Sequence, residues 1–309
     1  MRRATGHDTA GAEPRRPSNP RLLLLVVGLT IGSVALLMVS GLVIARELGI
    51  APEELQGAGF AVRPETITVF LVFQLLQIAI VVVAHRLIHR RPLRDLGFGP
   101  PVVRYLGIGF ALGVALAGAR VLWGVVLLLA LPGGDVGLEW SVPQGTPFVA
   151  IVSHYLFFFL VFLTANSFGE EMVFRCYPVE QFRDDPRMLL WAVGVATMLF
   201  AAIHFIIGTF SIEWLIGLVG FAAIATYIYY RWRSVWLIVG LHSGASFVSF
   251  SLAGNWRMGG LVRLVPTVPE ASPWVGVLFL TVDVALFALA LWLVARLGRR
   301  LPAAPVVAE

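Results

Sequence analysis

The chain has 309 residues, 58% of them hydrophobic and 13% charged, with a net charge of +5 and a mean hydropathy of +0.85. Soluble domains carry about twice that charge density, so the composition excludes a soluble enzyme and predicts one all-α, polytopic membrane helix bundle. All 23 basic residues are arginine and they fall between apolar runs, which marks them as topology signals and excludes nucleic acid as a partner. Cys176 is the only cysteine, so no intrachain disulfide forms, and its default role is that of a small apolar filler.

Residues 1–20 are polar, with Arg2, Arg3, Arg15 and Arg16, and read as a disordered cytoplasmic tail. The apolar run from Arg21 to Ala45 is too long for a signal-peptide core and no small-residue cleavage site follows, so it is retained as the first span. Eight stretches have roughly bilayer length: 22–45, 65–88, 104–131, 148–180, 187–208, 212–230, 234–253 and 273–297. They make residues 21–300 a single bundle, followed by a short tail at 301–309. Arginine concentrates in the connections at 86–104, 181–187 and 231–233 and after 296, while the opposite connections are richer in acid. The positive-inside rule then places both termini in the cytoplasm, in keeping with an even number of spans. Pro132 to Gly145 reads as an outer loop rich in Gly and Pro. No internal repeat is present.

The chemistry sits in three apolar segments. NSFGEEMVFR, from Asn166 to Arg175, places two adjacent carboxylates and an arginine at the end of an apolar run. Ionisable groups at membrane depth cost roughly 2.5–3.5 kcal/mol each, which makes them functional candidates by default. Glu171 and Arg175 stand i,i+4 on a helix and can pair, so Glu171 is a structural carboxylate neutralised by Arg175. Glu170 is turned about 100° away and shares its face with Asn166, one turn earlier. It has no charge partner on its own helix and suits a general base facing a cavity. His204 lies in FAAIH with Phe200 one turn before it, and His242 in LHSGAS with Ser246 one turn after it. A lone histidine in such a helix is by default a core or helix-bridging residue. Three polar centres on three helices point instead to one shared site.

Glu170, His204 and His242 also make a zinc ligand set, although no HExxH is present. The metal-free use of the same residues has Glu170 and His204 activating water while His242 and Ser246 donate to an oxyanion. The cofactor is therefore either a divalent metal such as zinc or none. Arg120 and Asp283 can pair with each other or with backbone, and His85 and His89 read as headgroup-facing. One depth conflict follows from the spans. Glu170 and His242 lie within ~12–15 Å of the cytoplasmic helix ends, His204 about 25 Å from Arg187, so a wrong helix boundary is expected.

EEMVFR fits an EExxxR pattern and FAAIH fits FxxxH, with a further histidine in a later apolar helix. Together they resemble the CPBP family of intramembrane proteases, which includes the CAAX prenyl endopeptidases and bacterial relatives tied to bacteriocin processing and self-immunity. The resemblance covers a core of about residues 147–253, and RDLGF at Arg94–Phe98 is similar to a loop found upstream in that family. It implies an all-helical protease of a bacterial cell membrane that cuts a membrane-associated protein or peptide. Glu170 and His204 then activate water and His242 stabilises the oxyanion, with Glu171, Arg175, Asn166 and Phe200 beside them. Ser246 stands where the family commonly has asparagine, and Cys176 where a glycine often follows the arginine. The alternative is a non-catalytic membrane protein, a proton-coupled transporter or a scaffold or immunity factor, that keeps the polar site as structure.

Overall fold

Within lipid every backbone N–H must find its acceptor inside the protein, and long runs of Leu, Val, Ile and Phe do so as helices. The computed structural model describes residues 20–47, 49, 64–99, 102–206, 211–252, 254, 259–267 and 273–300. The predicted tails fall, apart from Pro20, outside them.

The helices are α1 (Pro20–Glu47), α2 (Pro64–Val83), α3 (Val102–Ala130), α4 (Phe148–Phe157), α5 (Thr164–Glu171), α6 (Tyr177–Phe182), α7 (Pro186–Ile206), α8 (Ile212–Trp232), α9 (Val235–Ser251) and α10 (Pro273–Arg300). Proline opens α1, α2, α7 and α10, where its missing N–H costs nothing. Ser211 and Ser234 cap α8 and α9, accepting from the backbone N–H of Trp214 at 3.0 Å and of Leu237 at 3.3 Å. The tight α8–α9 turn is closed by Arg233 in the left-handed region, φ 47°.

Among the described residues six helical runs are long and apolar enough to cross a membrane: Leu71–Ile88, Val102–Ala130, Phe148–Phe182, Pro186–Phe205, Ile212–Trp232 and Gly276–Leu297. Two of the eight predicted spans are represented only by the shorter apolar helices Pro20–Leu36 and Val235–Ser251. Large apolar side chains such as Leu24, Val103, Leu122 and Leu160 stand exposed along the bundle, as a lipid-facing surface requires. The chain is an integral, multi-pass membrane protein.

The run Phe148–Phe182 is continuous but widens twice into π-helical turns, at Phe158–Leu163 and Met172–Cys176. Each such turn inserts a residue and rotates the rest of the helix about its axis, and such turns recur at functional sites. The second comes directly after Glu171. The core forms around this stretch, with Met172, Val173, Phe174, Cys176, Tyr177 and Val179 all buried in one cluster that includes side chains of α7, α8 and α9.

α3 and α9 pack backbone to backbone. Gly109 and Gly113 of α3 lie on the carbonyls of Leu237 and Leu241, while Gly240 and Gly244 of α9 lie on those of Leu106 and Phe110. Any Cβ at these four positions meets backbone, so this is a reciprocal small-xxx-small clasp. His242 sits between the two α9 glycines.

Outside the helices, β1 (Asp135–Trp140) pairs antiparallel with β2 (Val262–Thr267), Asp135 opposite Thr267 and Trp140 opposite Val262. The predicted loop at Pro132–Gly145 is thus partly a strand. Its alternation of Val136, Leu138 and Trp140 has the strand period, but its partner lies more than a hundred residues away, beyond any local hairpin signal.

Candidate active site

Glu170 and Glu171 end α5. Glu171 is completely buried, and its Oε1 accepts from Arg175 Nη1 at 3.2 Å and from His242 Nδ1 at 2.8 Å. Arg175 extends until its guanidinium lies 4.0 Å from the centroid of the Phe200 ring, a cation–π contact. Glu171 therefore does more than balance Arg175: it also fixes a histidine from α9. A carboxylate acceptor at Nδ1 keeps a proton on that nitrogen and aims Nε2 away. Nε2 faces Oε2 of Glu170 at 3.7 Å.

Glu170 is not partnerless. Its Oε1 accepts from Asn166 Nδ2 at 3.2 Å, and Asn166 Oδ1 accepts from Gln74 Nε2 of α2 at 2.7 Å. Gly169 makes room for this approach, since both Gln74 Oε1 and Gln77 Oε1 lie closer to it than any side chain allows. Gln74 and Gln77 are buried, and sequence reasoning does not single them out. Two glutamines three apart in an apolar run are the signal that could have found them.

His204 is held differently. Its Nδ1–H donates to the carbonyl of Phe200, one turn back, at 2.8 Å. The ring lies 4.5 Å from Phe200 and meets the edge of Trp214 at 5.9 Å, centroid to centroid. It forms no hydrogen bond or ion pair with Glu170, Glu171 or His242 among the described residues. The structure brings Glu170 and His242 together directly, and joins His204 to them through Arg175 and Phe200. The expected boundary error is absent, because α7 does begin at Pro186, where Asp185 Oδ1 accepts from Met188 N at 3.1 Å. Arg175, bonded to Glu171 and stacked on Phe200, is what links the two sides. The connection near Gly208 lies outside the described residues.

Ser246 is half-buried one turn beyond His242 and forms no hydrogen bond among the described residues. On the far side of His242, Phe221 of α8 packs at 5.1 Å between ring centroids. The zinc set does not fit as placed: among the described residues no three His, Cys, Asp or Glu side chains are grouped to hold a metal ion.

The remaining polar candidates resolve into contacts. Arg120 and Asp283 pair with each other. Cys176 is fully buried. His85, expected to face headgroups, is buried and bonds the Pro92 carbonyl at 3.0 Å. His89 meets the Tyr177 hydroxyl at 2.8 Å. The predicted upstream loop matters structurally: Gly97, at φ 81°, leaves no room for a Cβ beside the Arg233 carbonyl, and Val235 N donates to the Gly97 carbonyl at 3.3 Å. Arg233 then bonds buried Glu180 at 2.8 and 3.1 Å. This knot ties the loop, α6 and the α8–α9 turn together at one end of the bundle.

Residues 152–248 match the family model of the type II CAAX prenyl endopeptidases, Rce1-like. The matched segment is Rce1-like. It spans every residue from Asn166 to Ser246 discussed above, and it bears out the resemblance carried by EEMVFR and FAAIH. No curated protein and no solved structure matches the chain. In the Rce1-like segment Glu171 hydrogen-bonds the α9 histidine, Glu170 faces that ring at 3.7 Å, and among the described residues the α7 histidine bonds neither.

Proposed function

We propose that the protein is an intramembrane endopeptidase, with both termini in the cytoplasm, that cuts prenylated peptides near their C-terminus. The observation that supports it most is the opposition of Glu170 and His242. They come from separate helices, face each other at 3.7 Å, and are each braced from behind, one by Asn166 and the other by Glu171.

Those placements support the following chemistry. Glu170 takes a proton as a water oxygen attacks the scissile carbonyl carbon. His204, with Nδ1–H committed to backbone, offers its Nε2 lone pair to orient that water. The tetrahedral oxyanion receives donors from His242 Nε2–H and the Ser246 hydroxyl. To donate from both nitrogens His242 carries both protons, and Glu171 at Nδ1 stabilises that charge as a triad carboxylate does. The C–N bond then breaks, and the proton held by Glu170 passes to the leaving amine. No step runs through a metal.

Purified protein in detergent, incubated with a farnesylated peptide bearing a C-terminal tripeptide, should release that tripeptide. Glu170→Ala and His242→Ala should each slow release by about 10²–10⁴-fold, the range for general acid–base and oxyanion groups. Unchanged rates in the folded Glu170→Ala protein would overturn the assignment.

A further inference from the structure

Arg120 is a second charged centre on a membrane-spanning helix, and the hydrolytic scheme does not use it. It lies in the apolar run Val102–Ala130, where a guanidinium is costly. Asp283 of α10 offsets part of that cost. Its carboxylate accepts from Nε at 2.9 and 3.1 Å and from Nη2 at 2.6 Å, a two-pronged pair. A guanidinium has five N–H donors, and this geometry leaves the two on Nη1 outside the pair. Nη1 bonds no acceptor among the described residues. The arginine side chain stays 42% exposed while the aspartate is 13% exposed, so the cation rather than the anion is the accessible partner.

The direction of Nη1 decides what it serves. It is the Arg120 atom nearest Gly217 of α8, 3.5 Å from where a Cβ would stand. Gly217 shares a helical stripe with Trp214, three residues before it, and Phe221, four after it. Trp214 touches His204 and Phe221 touches His242. The guanidinium thus lies over the gap between the two side chains that flank both histidines. From Gly217 to Phe221 is about 6 Å along the helix. With the Phe221–His242 contact added, Arg120 stands on the order of 10–15 Å from His242, the reach of about three to four extended residues.

We propose that Arg120 anchors the free C-terminal carboxylate of the peptide substrate, setting the distance from chain end to scissile bond. Nη1 supplies the donors, Asp283 holds the guanidinium plane, and Gly217 leaves the approach open. This rests on the protease reading given above, because it is the peptide cut at Glu170 that Arg120 would measure.

The test is binding, kept apart from cleavage by using the Glu170→Gln protein. The probes are a farnesylated pentapeptide ending in a free carboxylate and the same peptide ending in a carboxamide, read by fluorescence anisotropy. The acid should bind at least tenfold tighter than the amide. In the Arg120→Met/Asp283→Leu double variant, which replaces the ion pair with apolar volume and leaves no unpaired charge, that preference should vanish while amide binding is unchanged. Equal binding of acid and amide, binding of neither, or a preference that survives in the double variant would each overturn the proposal. Myristate is the competing anion. If it displaces the acid peptide as well as unlabelled peptide does, Arg120 is a general carboxylate site and the chain-end assignment fails. The two readings also fail separately. An Arg120-dependent preference in a parent protein that cuts nothing removes the protease, whereas equal cutting of acid and amide removes only the anchor.

Discussion

Gln74 sets the direction of Glu170 from a different helix. Its amide donates to Asn166 at 2.7 Å, which commits the Asn166 Nδ2 to the glutamate at 3.2 Å. Gln74→Met keeps the volume and removes the donor, so Asn166 is free to turn. A lost hydrogen bond of ~1 kcal/mol predicts a fall in kcat of about fivefold with KM unchanged, whereas Gln77→Met, equally buried one turn on, should leave both unchanged. Steady-state kinetics on the two variants check this. His89 gives a pH prediction. Burial, then the nearby charges of Arg91 and His85, push its pKa down to about 4. It is therefore neutral at pH 7 and accepts the Tyr177 O–H. The unfolded chain takes up this proton from about pH 6.5 downward and the folded one only near 4, so stability is lost as pH falls through that window. Thermal unfolding at pH 7 and pH 4.5 should show a drop in Tm that is smaller in His89→Gln. At this scale local geometry is legible in the sequence and distant geometry is not. The Glu171–Arg175 pair follows from i,i+4 spacing. The His242–Glu171 bond and the Gln74–Asn166–Glu170 chain join residues 71 or more positions apart, and an apolar run carries no mark of which of its faces meets which neighbour.

At the scale of elements, the α3–α9 clasp is what makes the position of His242 rigid. Each glycine accepts the opposing backbone where a methyl group would not fit. Gly244→Leu or Gly113→Leu must spread the two helices. Overpacking of this kind costs roughly 1–3 kcal/mol and here moves His242 off Glu171. A lower Tm in detergent together with lost cleavage is expected, while Gly118→Leu, with open space at its Cβ position, should be neutral in both. Glycines at 109, 113, 240 and 244 are visible in the sequence as two small-xxx-small patterns, but many glycines share such spacing in membrane helices and nothing local pairs one with another. Helix positions are the most legible feature, because their hydrophobic length is fixed by the bilayer. The π turns are not legible. They lie against other helices, α9 and α2 for Phe158–Leu163 and α2, α7 and α8 for Met172–Cys176, and no local pattern marks those contacts.

At the scale of the whole molecule, exposed apolar faces make the outside and a chain of polar side chains makes the inside. That chain runs from Gln74 through Asn166 to Glu170, across to His242, and back through Glu171 and Arg175 to Phe200 and His204. The Rce1-like match covers its α5–α9 part, while Gln74 on α2 and the clasping face of α3 lie outside the matched residues. Residues before the family core therefore help shape the centre, and a fragment limited to 152–248 should neither hold His242 in place nor turn over. The measurement that bears most directly on the account is hydrolysis in H₂¹⁸O, followed by mass spectrometry of the farnesylated product. The parent protein should place one ¹⁸O atom in the newly formed carboxyl group, and Glu170→Gln should give no product. An uncut peptide with the folded parent, or equal labelled product from Glu170→Gln, would contradict a glutamate that activates water at this site.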